Sequence, residues 1–273
     1  MKYAIVNGEQ QEAKIGVAGT CPGCSSPLIA KCGNIQIHHW AHKGKLDCDP
    51  WWENETEWHR SWKKHFPVPW QEVVHRAESG EFHRADVKTD KSWVLEFQYS
   101  AIESEERASR NAFYEKLVWI VNGLRRKKDP VQFFGSLKVI KTLEDSVFRR
   151  ACDVISDKSA LLRDWSNATS PVFFDFNEPE VLWCLLPRSP EGKAVVVEII
   201  RQRFIDLHLT NINSPKDIFG ELIHFAATAT SANDLFLKFH YLRREEERNR
   251  QLMAEEARRR NPYINRRALS RRL

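Results

Sequence analysis

The sequence predicts a mixed α/β (α+β) fold. A small metal-binding module precedes a mixed sheet core flanked by helices, followed by a C-terminal α/β extension and a helical basic tail. Three observations carry this reading. Residues 67 to about 140 read strand, strand, helix, strand; CPGC at 21–24 is followed by further His and Cys up to Cys48; and the arginines crowd into the last stretch, from 241 to 273. Four zones follow: 1–50, 51–140, 141–240 and 241–273.

Composition bounds the class. Hydrophobic content of 42% with 29% charged residues is that of a soluble globular chain with room for a real core. No apolar run approaches the roughly 18 residues of a membrane span, and MKYAIVNGEQQEAKIG lacks a signal-peptide layout, so a cytoplasmic protein is expected.

In the first zone, two thiolates separated by two residues can grip one tetrahedral ion from a tight turn, which Gly23 eases. The preferred zinc set is Cys21, Cys24, His42 and Cys48, with His39 the competitor for a place. In a strand IQIHHW, His39 shares a face with Ile37 while His38 projects the other way. Four protein ligands leave no open position, so this zinc would be structural. Cys32, Cys152 and Cys184 read as buried small hydrophobes, and the scatter of the six cysteines suits a reducing compartment.

The second zone opens with WWENETEWHRSWKKHF (51–66), which reads as one helix. Trp58 and Trp62 define its buried stripe; Glu55, His59 and Lys63 fall on or beside it, and Glu57 points outward. A carboxylate aimed inward needs a charged or polar partner. Trp51, Trp52, Trp58 and Trp62 could stack on bases, but packing is the favoured use.

VVHRA, RADV and VLEFQYS are then strand candidates. IESEERASRNAFYEKL is a helix with Ser104 as its cap, and VWIVNG is a buried strand. Glu96 and Gln98 share a strand face, and with Asp86 on the neighbouring strand two carboxylates converge. Hard oxygen donors that would otherwise repel suit Mg²⁺ or Mn²⁺, an ion able to activate water against a phosphate. A satisfied cross-strand polar patch would produce the same pattern.

Further on, LEDSVFRRACDVI has helical periodicity, PVFFDF and VLWCLLP look like paired strands, AVVVEIIRQRFIDLHL follows, and ELIHFAATATSANDLFLKFHYL reads as a helix. This zone fits either a second subdomain or an elaboration of the first. Residues 241–273 hold eleven Arg and five Glu with no Lys or Asp, a net of +6, which leaves −1 for the rest of the chain. Such an arm favours a polyanion, most simply nucleic acid. A helix with internal Glu–Arg pairs serving as a protein-interaction arm is the alternative.

CPGC, HHWAH, ENETEWHRSWK, RADV, EFQYS and RASRNAFY occur in an order that resembles the competence protein CoiA family over roughly residues 20–135. The resemblance implies a zinc-binding module joined to a nuclease domain of the restriction-endonuclease-like PD-(D/E)xK class. It implies Asp86 and Glu96 as metal ligands, with Glu55 a further ligand, direct or through water, or a group orienting the nucleophile. His59, Lys63 and Gln98 match catalytic positions; Arg110 and Tyr114 match an Arg-x₃-Tyr that holds phosphate or braces the site. Gln98 stands where the broader class has Lys, and supplies hydrogen bonds but no charge. Lys63, Lys88 or Arg84 are candidates to compensate, Arg84 also for substrate binding. The implied function is a metal-dependent DNA nuclease with structural Zn²⁺ and catalytic Mg²⁺ or Mn²⁺. The alternative is a DNA-holding protein on the same fold that does not cut.

Overall fold

A computed structural model describes residues 1–44, 48–49, 51, 55–143, 145–187, 194–210 and 216–260. Trp52 and the acid-free end of the tail beyond residue 260 lie outside the described residues.

The first zone forms a five-stranded antiparallel sheet from β1 (Tyr3–Val6), β2 (Glu9–Glu12), β3 (Ala18–Thr20), β4 (Pro27–Lys31) and β5 (His39–His42), in the order β2-β1-β3-β4-β5. Asn7 and Gly8 both adopt positive φ, 52° and 86°, which is the backbone a two-residue hairpin turn between β1 and β2 requires. Its core is small, built on Ala4, Leu28 and Trp40. So small a core needs help from a metal or from docking onto a larger body.

That larger body is a nine-stranded sheet. Its strands are β6 (Gln71–Arg76), β7 (Phe82–Lys88), β8 (Val94–Gln98), β9 (Leu117–Asn122), β10 (Leu137–Thr142), β11 (Phe148–Val154), β12 (Val172–Asp175), β13 (Val181–Leu185) and β14 (Ala194–Ile200). They lie in the order β10-β11-β14-β13-β12-β9-β8-β7-β6. Among the described residues, only β8–β9 and β9–β12 pair in parallel. The helices are α1 (Glu57–Lys63), α2 (Ser104–Phe113), α3 (Asp129–Ser136), α4 (Ala160–Trp165), α5 (Arg201–Thr210), α6 (Ile218–Ala227) and α7 (Ala232–Arg260). Alternation along β8 and β9 sends Leu95, Phe97, Val118 and Ile120 to one face, where Trp62, Phe204 and Phe219 meet them. Val94, Trp119 and Val121 face the other way, against Phe133 and Trp165. The sheet is thus covered on both sides, and residues after 140 extend the same sheet by four strands, β11–β14, beyond β10, which starts at Leu137.

Several expectations are corrected. LEDSVFRRACDVI contains β11 rather than a helix: a register shift between Phe148 and Arg150 against β14 breaks the alternation and mimics helical spacing. ELIHFAATATSANDLFLKFHYL is two helices, α6 and α7; between them Asp234 accepts the Thr230 N–H at 2.9 Å. The helix expected over 51–66 runs only from Glu57 to Lys63, capped by Thr56. The cap of α2 is Glu103, with Ser104 its first residue. The paired strands at PVFFDF and VLWCLLP are β12 and β13, joined antiparallel. Cys152 and Cys184 are fully buried, whereas Cys32 is only partly so. Among the described residues no helix is long and apolar enough to cross a membrane.

Candidate functional site

The first site is a cluster of donor atoms from Cys21, Cys24, His42 and Cys48, all within 4.8 Å of one another. Cys21 and Cys24 come from the turn after β3, His42 from the end of β5. Cys21 Sγ lies 3.7 Å from Cys48 Sγ and Cys24 Sγ 3.4 Å from His42 Nε2. Zn–S bonds near 2.3 Å in a tetrahedron put ligand atoms about 3.7 Å apart, so the donor set fits Zn²⁺. Burial opposes ionisation at Cys24, yet hydrogen bonds from Ser26, His42 and Cys48 bring its thiol down to about 6. Burial and the neighbouring sulfurs push Cys48 up instead, which a bound cation would reverse. His39 is excluded from the set. Residues 35–38 lie outside any strand, and the His39 ring bonds through Nδ1 to the Ile37 carbonyl at 2.8 Å.

This module is seated on the large sheet next to the second site. A side chain at Gly23 would place its Cβ 2.7 Å from the Phe82 ring of β7, so only glycine lets the CPGC turn approach so closely. Asp49, directly after the ligand Cys48, accepts from the Arg84 backbone N–H and bonds His83 Nδ1, each at 2.9 Å.

The second site forms where β7 and β8 part. Their pairing includes Lys88↔Val94 and Val87↔Leu95 and goes no further; instead the Phe97 N–H donates to Asp86 Oδ2 at 3.0 Å. Asp86 and Glu96 are therefore level across the parting strands. Glu72 of β6 is level with them too, between Gln71↔Val87 and Val73↔Ala85. Its φ of 53° is a costly conformation for a glutamate. Glu72 is held by the Lys2 N–H at 2.8 and 3.0 Å and the Tyr3 N–H at 3.1 Å, so the N-terminal strand caps it.

Lys63 enters this group from the last turn of α1. Its Nζ lies 3.0 Å from Asp86 Oδ1, 3.0 Å from Glu72 Oε1 and 3.5 Å from Glu55 Oε1. Burial alone would lower its pKa, but Asp86, Glu72 and Glu55 outweigh burial and hold it well above the usual lysine range. In return Lys63, with Arg84, keeps Glu72 far below the usual carboxylate range against the cost of burial. Asp86 is likewise lowered, chiefly by Lys63 and then His59. Glu96 behaves differently. Burial and the Asp86 and Asp49 charges push it up to about 8 despite Arg110, whose Nη1 donates to Glu96 Oε2 at 2.9 Å.

These groups enclose a cavity of about 40 Å³, room for ions and waters but not for a nucleotide. Among its described lining residues, five carboxylates (Asp49, Glu55, Glu72, Asp86, Glu96) face three side-chain cations (Lys63, Arg84, Arg110). Two oxygens, Glu55 Oε2 and Glu96 Oε1, are buried without a partner, each at a cost of about 1–3 kcal/mol. Orphaned hard oxygens among clustered carboxylates fit a divalent cation such as Mg²⁺ or Mn²⁺.

The expected residues are thus largely gathered. Glu55, His59, Lys63, Arg84, Asp86, Glu96 and Arg110 line one cavity. Glu55 does so from just before the cap of α1 rather than from the helix, and Glu57 is exposed. His59 also closes the capping box, accepting the Thr56 N–H at 3.1 Å. Gln98 is buried but is not among the described lining residues; its amide donates to the Ser100 carbonyl at 3.3 Å. Lys88 is diverted to His75 at 2.8 Å. Tyr114 caps α2 at its C-terminal end, its hydroxyl buried and unpartnered and its pKa raised by burial and by Glu96. Trp58 and Trp62 both donate Nε1–H to Asp175 Oδ2 at 2.9 Å, and Trp51 stacks on His83, so these three serve packing. Glu72 and Asp49 escaped the sequence reading. Their nearest signals were a glutamate opening a strand and an aspartate one place after a zinc ligand.

Fold and sites define a mixed α/β protein with an N-terminal Cys₃His module of zinc-binding type and a buried carboxylate–lysine cluster. Residues 10–50 match the family model described as competence protein CoiA, N-terminal domain, over the stretch that carries the clustered Cys21, Cys24, His42 and Cys48. The match ends before the large sheet begins. No curated protein and no solved structure gives a significant match.

Proposed function

We propose that the chain is a metal-dependent nuclease that hydrolyses DNA phosphodiesters in a competence-related role, with the carboxylate cavity as its active site. The observation that carries the proposal is the pair of orphaned oxygens, Glu55 Oε2 and Glu96 Oε1, sharing one cavity with Asp86. Asp86, Glu96 and, directly or through water, Glu55 would hold the ion. A bound Mg²⁺ or Mn²⁺ supplies Lewis acidity and lowers the pKa of water. The protein's own groups do the rest. Arg110 fixes the Glu96 carboxylate through Oε2 and leaves Oε1 to the cavity. Lys63 supplies the positive charge that Gln98 cannot, next to Asp86, where a phosphate oxygen would collect charge. Arg84, which lines the same cavity and feels the charges of Glu72, Asp49 and Asp86, adds a second cation there. The Arg-rich tail favours the polyanion at longer range.

Lys63 also favours a second reading, a DNA-holding protein that does not cut, because its ammonium already bridges Asp86 and Glu72. Incubation of zinc-replete protein with single- and double-stranded DNA, with and without Mn²⁺ or Mg²⁺, separates them. The nuclease reading requires cutting that needs the added ion and disappears in an Asp86→Asn, Glu96→Gln double variant. Salt-sensitive binding with no cutting under any condition would leave the holding protein.

A further inference from the structure

The 40 Å³ cavity is too small for a nucleotide, so the substrate must lie in something adjoining it. Two larger cavities do. One of about 340 Å³ shares Glu55 with the carboxylate cavity; another of about 560 Å³ shares Ile35, Gln36 and His39 with the first. Together they make a groove running from Glu55 outward along the loop between β4 and β5 of the zinc module. Its size is that of a small-ligand pocket. The loop is braced at its base, by the Arg60 guanidinium on the His38 carbonyl and by His39 on the Ile37 carbonyl. Arg60 also reaches Glu55 Oε1 at 3.6 Å, linking loop and carboxylate cavity. At its tip Ile35 is 98% exposed, an unusual place for a large apolar side chain.

Charge marks the occupant. Residues 13–46 contain four Lys and no Asp or Glu, and of these Lys31 is among the described residues that line the groove. Lys31 lines the outer part of the groove, the amides of Asn34 and Gln36 stand beside Ile35, and the carboxylates Glu55 and Glu57 are confined to the inner part. Anionic phosphates would lie by Lys31, and a neutral base with donor groups by the inner wall.

We propose that this groove is the strand-binding subsite of the candidate nuclease and takes unpaired DNA, with Ile35 wedged against a splayed base and Asn34 and Gln36 meeting its edge. The proposal rests on the nuclease reading and names its substrate. Acids as deeply buried as Glu55 and Glu96 can be reached by a single threaded strand, whereas a duplex would first have to open, at a few kcal/mol per step. An apolar wedge between bases and amides at their edges are the means proteins use to hold opened nucleic acid.

The test is fluorescence anisotropy on the full, zinc-replete chain without added Mg²⁺ or Mn²⁺. The probe is a labelled DNA strand of about 15 nucleotides, alone, as a blunt duplex, and as RNA of the same sequence. The single DNA strand is expected to bind about tenfold or more tighter than the duplex. Ile35→Asp should weaken it about tenfold and Ile35→Trp should strengthen it, with zinc content and melting unchanged. Equal affinity for duplex, both variants within about twofold of the parent, or tighter binding of RNA would overturn the proposal. Cleavage assays keep the two readings apart. A parent that binds in this way but never cuts retains the subsite and loses the nuclease. A parent that cuts, with Ile35→Asp cutting and binding equally well, retains the nuclease and loses the subsite.

Discussion

The Cys₃His cluster and the carboxylate cluster lie one residue apart in sequence at Cys48 and Asp49, and each gathers groups of like charge. They differ in what the chain supplies to hold them together. The thiol cluster has no cationic side chain among its donors, so in ionised form it depends on a metal. The carboxylate cluster carries Lys63, Arg84 and Arg110, and its folded arrangement persists on the chain's own charges. The four-donor cluster is complete as a set for one ion, whereas the carboxylate cluster is held by its own cations and keeps Glu55 Oε2 and Glu96 Oε1 unpartnered.

The largest effect should therefore follow from removing zinc. Apparent binding energies for structural zinc reach about 10–16 kcal/mol, more than a core built on Ala4, Leu28 and Trp40 can offset. Chelation, or Cys24→Ser, should abolish amide-exchange protection in β1–β5 while β9 and β12–β14 remain protected. Protection that survives in β1–β5 of the metal-free protein would remove the contrast between the clusters.

Lys63→Met should come next. It strands Glu72, Asp86 and Glu55 around a buried apolar side chain, and breaking a buried ion pair typically costs about 3–5 kcal/mol. Urea unfolding should show a lower midpoint with zinc still bound. Near-parental stability would mean that the cluster does not rely on its internal cation.

The contrast also explains what the sequence could disclose. Cys21, Cys24, His42 and Cys48 were legible because a donor set able to hold a metal uses short spacings and rare residue types. Asp86, Glu96 and the β7–β8–α2–β9 order were legible because acids interrupt apolar strands. Glu72 was not, because its role depends on a register and a positive φ that no local pattern encodes. Nor was β11, whose register shift gives a strand the spacing of a helix. The choice between His39 and His42 turned on where β5 begins: at His39, with Ile37 left outside to receive its ring.

Acid separates the clusters from the rest of the core. Glu72 and Asp86 have lowered pKa values, so their contribution is present above the ordinary carboxylate range and is lost only as pH falls below about 4.5. His208 acts earlier. Buried among Phe66, Phe204 and Phe219, it is lowered from 6.5 to about 3 by burial against the opposing Asp217 charge. At this site the unfolded chain therefore binds the extra proton between those values, and the His208 contribution falls as pH drops from about 6.5 toward 3. Glu96, raised to about 8, has the opposite sign because the folded chain holds its proton. At pH 5 the loss from His208 is about 2 kcal/mol. His208→Phe should flatten the melting temperature between pH 6.5 and 5; an unchanged slope would shift that sensitivity to the clusters.

The smallest effect tests the link between the clusters. Asp49→Asn keeps the shape and an acceptor for the Arg84 N–H but removes the charge facing His83, Arg84 and Glu96. Hydrogen bonds to charged groups contribute about 1.5–3 kcal/mol and neutral ones about 1, so the difference should cost about 1 kcal/mol. Relief of repulsion on Glu96 offsets part of that, since Asp49 is one of the charges holding Glu96 up. The expected result is a drop in melting temperature of a few degrees, with zinc stoichiometry unchanged. Loss of zinc in this variant would show that Asp49 positions Cys48 as well as β7, and that the two clusters are one cooperative unit.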